Sequence, residues 1–346
     1  MKRLFLLFAS LFALCNARSQ ELKLKESLSQ NETSVVERRI SNKALLQHTL
    51  NYAPLSYVSP PYLDVGNPKT AYILSADIMP QFVIGGEWMP IPIHLTPRFK
   101  ARIFRNNLET NDTSLPVRTP SFMPGMTAHI PLQDYSKDTG KIKYASIAIF
   151  HHSNGQDGDE FNSDERINLY NGNFSTNYVE PAFHYRIRRF QSIGSTDCSD
   201  PEPNYSEYYF KLGMEKHFVT AEKLKSTYGD YRFNFTVNWI GVRNYCDMIN
   251  KKQISSSYYR EKHRIVFSST FIAGNREGGL NDFNKRINVN INYNWRIPSS
   301  PNTALFLGTG YYGSDPYNIY YQQSYFFVHA GLSLGFFVTP NMIGLK

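Results

Sequence analysis

Residues 286–297 read RINVNINYNWRI. Ile287, Val289, Ile291, Tyr293, Trp295 and Ile297 hold one parity, and Arg286, Asn288, Asn290, Asn292, Asn294 and Arg296 the other. Successive side chains of a strand point to opposite faces, so this period of two marks a strand with one apolar and one polar face. Residues 231–240, YRFNFTVNWI, repeat the pattern: Tyr231, Phe233, Phe235, Val237 and Trp239 against Arg232, Asn234, Thr236 and Asn238. Near the end of the chain Phe326, Val328, Ala330, Leu332, Leu334 and Phe336 share a face, opposite Tyr325, His329, Gly331, Ser333 and Gly335. Strands of soluble sandwiches usually run about 5–6 residues. These segments reach the length of a tilted membrane strand or slightly exceed it. Asn and Arg on the polar face suit a wet, hydrogen-bonded lumen, and no backbone group can stay unpaired in hydrocarbon, so the sheet has to close. The expected fold class is all-β, a transmembrane antiparallel β-barrel, with a soluble secreted β-sandwich as the alternative.

Twelve strands are expected, near 48–58, 70–86, 91–105, 118–131, 142–153, 168–190, 205–217, 231–245, 259–272, 284–297, 303–313 and 324–337. Pro54 interrupts the first. The connection 298–302 is short and turn-like, which assigns it to the periplasmic side. Connections around 106–117, 154–167, 218–230, 273–283 and 314–323 then face outward, and those around 191–204 and 246–258 face the periplasm. Trp239 and Trp295 fall near the periplasmic ends of their strands, where an aromatic girdle belongs. Cys198 and Cys246 both fall in periplasmic connections, where they could pair.

The chain opens MKRLFLLFASLFALCNARSQ. Lys2 and Arg3 precede a short apolar run over 4–14, and Ala17 and Ser19 supply the small residues of a cleavage site. Residues 1–19 therefore read as a secretory signal peptide, too short to span a membrane. Leu14 is too bulky before a lipidated Cys15. Cleavage would remove Lys2, Arg3 and Arg18 and no acidic residue, taking the net charge from +8 to +5. The remaining excess is spread along the chain without a basic block, which argues against nucleic acid and would suit anionic lipid headgroups. No later stretch reaches the ~18 apolar residues of a membrane helix, while 24 Tyr and 24 Phe suit a membrane barrel. Residues 20–47, with mixed charges and few aromatics, read as an N-terminal periplasmic segment outside the barrel, which would occupy 48–346.

Residues 145–155 read ASIAIFHHSNG. Ala145, Ile147, Ile149, His151 and Ser153 share one face, apolar below its two polar members. If that face meets lipid, His151 and Ser153 sit at the outer rim, close enough for the hydrogen bond by which a base activates a nucleophile. Water is scarce there and acyl chains abundant, which points to a lipid ester. The plain alternative is structural: Asn154-Gly155 is a common turn signal, and His and Ser are ordinary rim residues. His152, on the opposite face, reads as a lumen or rim residue.

His151-x-Ser153-Asn154-Gly155 resembles the H-x-S-N-G motif of the outer-membrane phospholipase A family. Residues 114–124, SLPVRTPSFMP, resemble that family's S-x-P-x-R-x5-P segment, matching at Ser114, Pro116, Arg118, Phe122 and Pro124. With Gly310-Tyr311, Tyr317-Asn318 and Gln322, the resemblance spans roughly residues 70–337. It implies a twelve-stranded barrel in the outer membrane of a Gram-negative cell, dimeric when active, that hydrolyses phospholipid acyl esters (A1/A2) with calcium. Ser153 would attack the ester carbonyl, His151 would take its proton, and an asparagine would orient the histidine. The N–H of Gly155 and calcium-bound water would stabilise the oxyanion. Ser114 matches a serine that ligates the calcium held by the neighbouring subunit, which places the ion at the interface of a homodimer.

Two parts of the pattern stay open. Fourteen residues after the histidine, where the family has its asparagine, stands Glu165, with Asn168 three further on. Asn168 shares parity with Tyr170, Phe174 and Tyr178, and Glu165 with Asn171, Asn173 and Asn177. A lipid-facing site favours the aromatic parity and hence Asn168, which a bulge would reverse. Glu165 would give a Ser-His-Glu triad, resembling lipid A 3-O-deacylase. In the calcium loop Gln156 stands where the family has an arginine whose carbonyl is the ligand, and Phe161 stands where it has a serine. Asn162, Ser163 and Asp164 are candidate ligands there, in a loop made acidic by Asp157, Asp159, Glu160 and Asp164, although a solvated acidic loop reads the same way. A non-catalytic porin or lipid-transport barrel is the reading from another class. Twelve strands leave little open channel once side chains fill it.

Overall fold

The computed structural model describes residues 31–60, 63–64, 72–85, 89–104, 117, 120–135, 140–190, 204–219, 222–249, 253–276, 282–297, 300, 302–317 and 320–337. The expected signal peptide, Ser114 and Cys198 lie outside the described residues. The chain forms a closed antiparallel barrel with twelve strand positions. They are β1 (Ser56–Ser59, continued by Leu63–Asp64), β2 (Tyr72–Ile78, continued by Phe82–Ile84), β3 (Ile93–Phe104), β4 (Ser121–Pro131), β5 (Lys141–Ser153) and β6 (Ser175–Phe190). The wall continues with β7 (Tyr205–Val219), β8 (Tyr231–Ile249), β9 (Gln253–Ala273), β10 (Ile287–Arg296), β11 (Thr303–Ser314) and β12 (Ser324–Leu334). Each pairs with its neighbours in sequence, and β12 returns to β1 through Leu334 opposite Ser56. The end that carries the 154–174 connection is called the upper end below.

The period-two segments fold as their pattern dictates. Phe233, Phe235, Ile291, Phe326, Leu332 and Leu334 are exposed on the outer wall, while Arg232, Asn238, Asn294, Arg296 and Ser333 are buried in the lumen. Among the described residues no helix is long and apolar enough to cross a membrane, so the outer apolar wall is built by strands alone. Tyr208, Trp239, Ile265 and Tyr293 lie in one row across four adjacent strands, an outward-facing belt toward the lower end.

Four boundaries differ from the pattern-based expectation. The segment 48–51, expected to open the first strand, ends a helix, α1 (Asn31–Asn51), and the strand begins only at Ser56, beyond Pro54. The second half of the segment expected outside the barrel is therefore α1, and its C-terminal half enters the lower lumen. Ala44 and Leu45 pack with Tyr144, Tyr209, Ile240 and Val242, Tyr52 stacks on Tyr209 at 4.4 Å, and Thr49 Oγ1 bonds His94 Nε2 at 3.0 Å. The sixth strand starts at Ser175 rather than 168, because residues 158–172 fold on themselves. Finally β8 and β9 run on until only 250–252 connect them, so Cys246 is a strand residue opposite Ser257.

Three upper connections close the other mouth. Ile167 and Phe174, Leu224 and Tyr228, and Tyr317, Tyr320 and Tyr321 form one buried cluster. Phe174 is fully buried at its centre, 5.3 Å from the Tyr228 ring, and Tyr228 is 5.1 Å from Tyr321. Between this cap and α1 the lumen is filled by ion pairs and hydrogen bonds: Arg98 with Asp77, Arg102 with Asp315, Lys211 with Glu180 and Arg264 with Glu261. Pairing of this kind offsets the cost of burying a charge.

Candidate active site

Strands β5 and β6 pair without interruption from Lys141 opposite Ile187 to Ser153 opposite Ser175. This register puts His151 opposite Asn177, and the two side chains meet, His151 Nδ1 to Asn177 Oδ1 at 2.9 Å. An amide oxygen only accepts, so Nδ1–H is the donor, and in the neutral ring Nε2 carries the lone pair. Ser153 lies two residues along on the same outward parity, between Ser175 of β6 and Phe122 of β4. His151 and Ser153 are half-buried on the face of Ile147 and Ile149, and Phe122 is exposed beside them. His152 points the other way and is buried 5.1 Å from the Phe174 ring. Among the described residues Ser153 Oγ makes no hydrogen bond; such contacts often close only when substrate is bound.

The remainder of the motif builds the loop. Asn154 is buried and joins the loop to β6: its Nδ2 donates to the Gly172 carbonyl at 2.8 Å, and its Oδ1 accepts from the Phe174 N–H at 3.0 Å and the Gln156 N–H at 3.3 Å. Gly155 has φ of 67°, a left-handed conformation that glycine adopts without penalty. A Cβ there would stand 3.2 Å from the Phe122 ring.

Neither sequence candidate for the orienting residue reaches His151. Asn168 is committed to the loop: its Oδ1 accepts from the N–H groups of Tyr170 and Asn171, and its Nδ2 donates to the Asp159 carbonyl and to Asn171 Oδ1. Glu165 is exposed at the tip of the turn between the bridged Phe161 and Ile167, with φ of 63°. The residue beside the histidine is Asn177. The aromatic parity is the inward one: Phe174 and Tyr178, which suggested a lipid face, are buried inside the barrel, and the polar set containing Asn177 faces out.

The calcium candidates are separated. Gln156 is half-buried at the base of the loop, three residues beyond Ser153. Asn162, Ser163 and Asp164 are exposed on the turn. The Asp164 carboxylate is already engaged, accepting from the Arg166 N–H at 3.2 Å and lying 3.5 Å from its guanidinium. Among the described residues no group of three or more His, Cys, Asp or Glu side chains is placed to hold a metal ion.

No family model matches the chain, and no curated protein matches it in sequence. Among solved structures the barrel matches the outer membrane phospholipase A of Escherichia coli, in a form whose active-site asparagine is replaced by alanine. The TM-score is 0.50 at 11% identity, covering 86% of this chain and 98% of that one. The fold resembles the outer-membrane phospholipase A barrel. A second structure of the Escherichia coli protein (TM-score 0.48, 12% identity) and a calcium-bound dimer of the Salmonella typhi outer membrane phospholipase (0.45, 12%) cover the same shares. At these identities the likeness is one of fold. It leaves the chemistry to this chain's own residues.

Proposed function

We propose that the chain is a phospholipase A of the outer membrane, a carboxylic ester hydrolase acting on glycerophospholipids, with Ser153 as nucleophile, His151 as base and Asn177 as the group that orients the base. The observation that supports it most is the His151–Asn177 hydrogen bond on the outward face, one strand-pair step below Ser153. With Nδ1–H held by Asn177, Nε2 is the free base. It takes the Ser153 proton as Oγ attacks the acyl carbonyl, and the Asn177 oxygen steadies the imidazolium that forms. The Gly155 N–H would donate to the oxyanion. The same proton passes to the departing lysophospholipid oxygen, and water then releases the fatty acid from Ser153.

Calcium is proposed from the sequence resemblance. Hard oxygen donors suit it, and Gln156 through its carbonyl, with Ser114 of the partner subunit in a homodimer and an oxygen of Asn162 or Ser163, would hold it. Once bound it would add positive charge near the developing oxyanion. Asp164 fits less well, because Arg166 already occupies its carboxylate. Glu165 at the loop tip supports the deacylase reading less, and α1 with the upper cap inside the barrel supports an open porin less.

The protein refolded in neutral detergent should release fatty acid from phospholipid in mixed micelles and stop when calcium is chelated. Release from lipopolysaccharide but not from phospholipid would contradict the assignment.

A further inference from the structure

Below the upper cap lie two adjoining cavities of about 200 and 190 Å³. Arg98, Lys100, Thr270 and Asn288 line both. Several waters, or one small polar ion with a few waters, fit such a volume. The charges around it do not balance. Arg98 is held by Asp77 through two bonds of 2.9 and 2.7 Å, and Asp315 is held by Arg102 at 2.8 Å. Among the described residues three cations then remain, Lys100, Arg232 and Arg276, and one acid, Glu215.

Among the described residues none of the three has a carboxylate of its own. Lys100 Nζ lies 4.0 Å from the Asp77 oxygen that Arg98 already occupies, and its one hydrogen bond, to the Pro316 carbonyl, is 3.5 Å long. Arg232 donates to the carbonyls of Gly229 and Tyr228, and Arg276 to those of Tyr228 and Tyr321 and to Ser314 Oγ. Glu215 accepts from His217 Nε2 at 2.8 Å and Asn234 Nδ2 at 2.6 Å. A second, independent feature marks the same space. His152 is 6% exposed and lines the second cavity, and its Nε2 is buried with no hydrogen-bond partner among the described residues. A buried polar group left unmatched in this way calls for a ligand, and an unbalanced set of buried cations calls for an anion.

We propose that the upper lumen binds a small free oxyanion with the size and charge of phosphate, held between Lys100, Arg232 and Arg276, with His152 Nε2–H as a neutral donor. The site lies inside the wall that carries Ser153 on its outer face, and it stands independently of the esterase reading.

The test uses the full barrel in a neutral, phosphate-free detergent, with inorganic phosphate as the probe against chloride at equal ionic strength. Phosphate should raise the urea midpoint of unfolding saturably and broaden its own ³¹P resonance. Lys100→Gln should weaken apparent binding about tenfold or more, since one charged hydrogen bond is lost. Lys143→Gln, an exposed lysine outside the lumen, should leave it unchanged. If Lys100→Gln alters the fold, the broadening of the wild-type resonance still decides. No saturable effect, an equal effect in Lys100→Gln, or an effect of phosphatidylglycerol in place of phosphate would each overturn the proposal.

Discussion

Replacing Asn177 by alanine removes the acceptor that fixes the His151 ring. With the ring neutral, such a bond contributes about 0.5–1.5 kcal/mol; once His151 carries the serine proton it becomes charge-assisted, worth about 1.5–3 kcal/mol. The free enzyme loses the weaker bond as well, so only the difference of about 1–1.5 kcal/mol acts on the barrier, lowering kcat/KM by about 5- to 13-fold. Asn177 is exposed, so water can replace part of the bond, which places the expected loss nearer about 5-fold. Asn177→Asp keeps an acceptor and adds a charge facing the imidazolium, so it should retain activity. The assay is fatty-acid release from phospholipid in mixed micelles, with kcat and KM resolved separately and folding checked by circular dichroism. An Asn177→Ala enzyme within twofold of wild type would refute the reasoning. So would a folded Glu165→Gln enzyme that loses more activity than Asn177→Ala.

Other expected outcomes concern the scaffold. Phe174→Ala should cost about 3–5 kcal/mol of stability at the upper end, read as a lower urea midpoint and faster proteolysis of the three capping connections. Asn154→Ala leaves the Phe174 N–H and the Gly172 carbonyl without partners, so the 154–174 loop should become protease-sensitive and activity should fall even with the catalytic pair intact. Burial, then the charges of Arg186 and Arg188, hold His48 well below the usual histidine range. Folding thus favours its neutral form, so the docking of α1 is at full strength above about pH 6.5 and weakens as pH falls below it. Amide exchange over residues 41–51, corrected for intrinsic rates, should be faster at pH 5 than at pH 7, and His48→Gln should remove the difference.

The barrel was legible because its strands carry alternation too long for chance, over 231–240, 286–297 and 326–336 above all. The proposed pair was legible for the same reason: His151 and Ser153 continue the parity of Ile147 and Ile149. What parity could not supply was the length of the loop that follows. Fourteen residues suited one loop; here the chain bridges Gly158 to Gly172 and Phe161 to Ile167 before pairing resumes, and the partner of His151 comes 26 residues later. Asn177 was visible as one of the polar odd-numbered residues after the loop, but two buried aromatics, Phe174 and Tyr178, resembled a lipid face. Helix α1 was hidden for another reason. Its lumen contacts are spread over Thr49, Tyr52 and a few small apolar residues, which leaves a weak pattern on a polar sequence.

The central claim rests on Ser153, and the direct measurement is hydrolysis of a glycerophospholipid by wild type and Ser153→Ala, each refolded, with and without calcium. The account predicts fatty-acid release by wild type with calcium and none above background from the variant. Undiminished release by folded Ser153→Ala would contradict it.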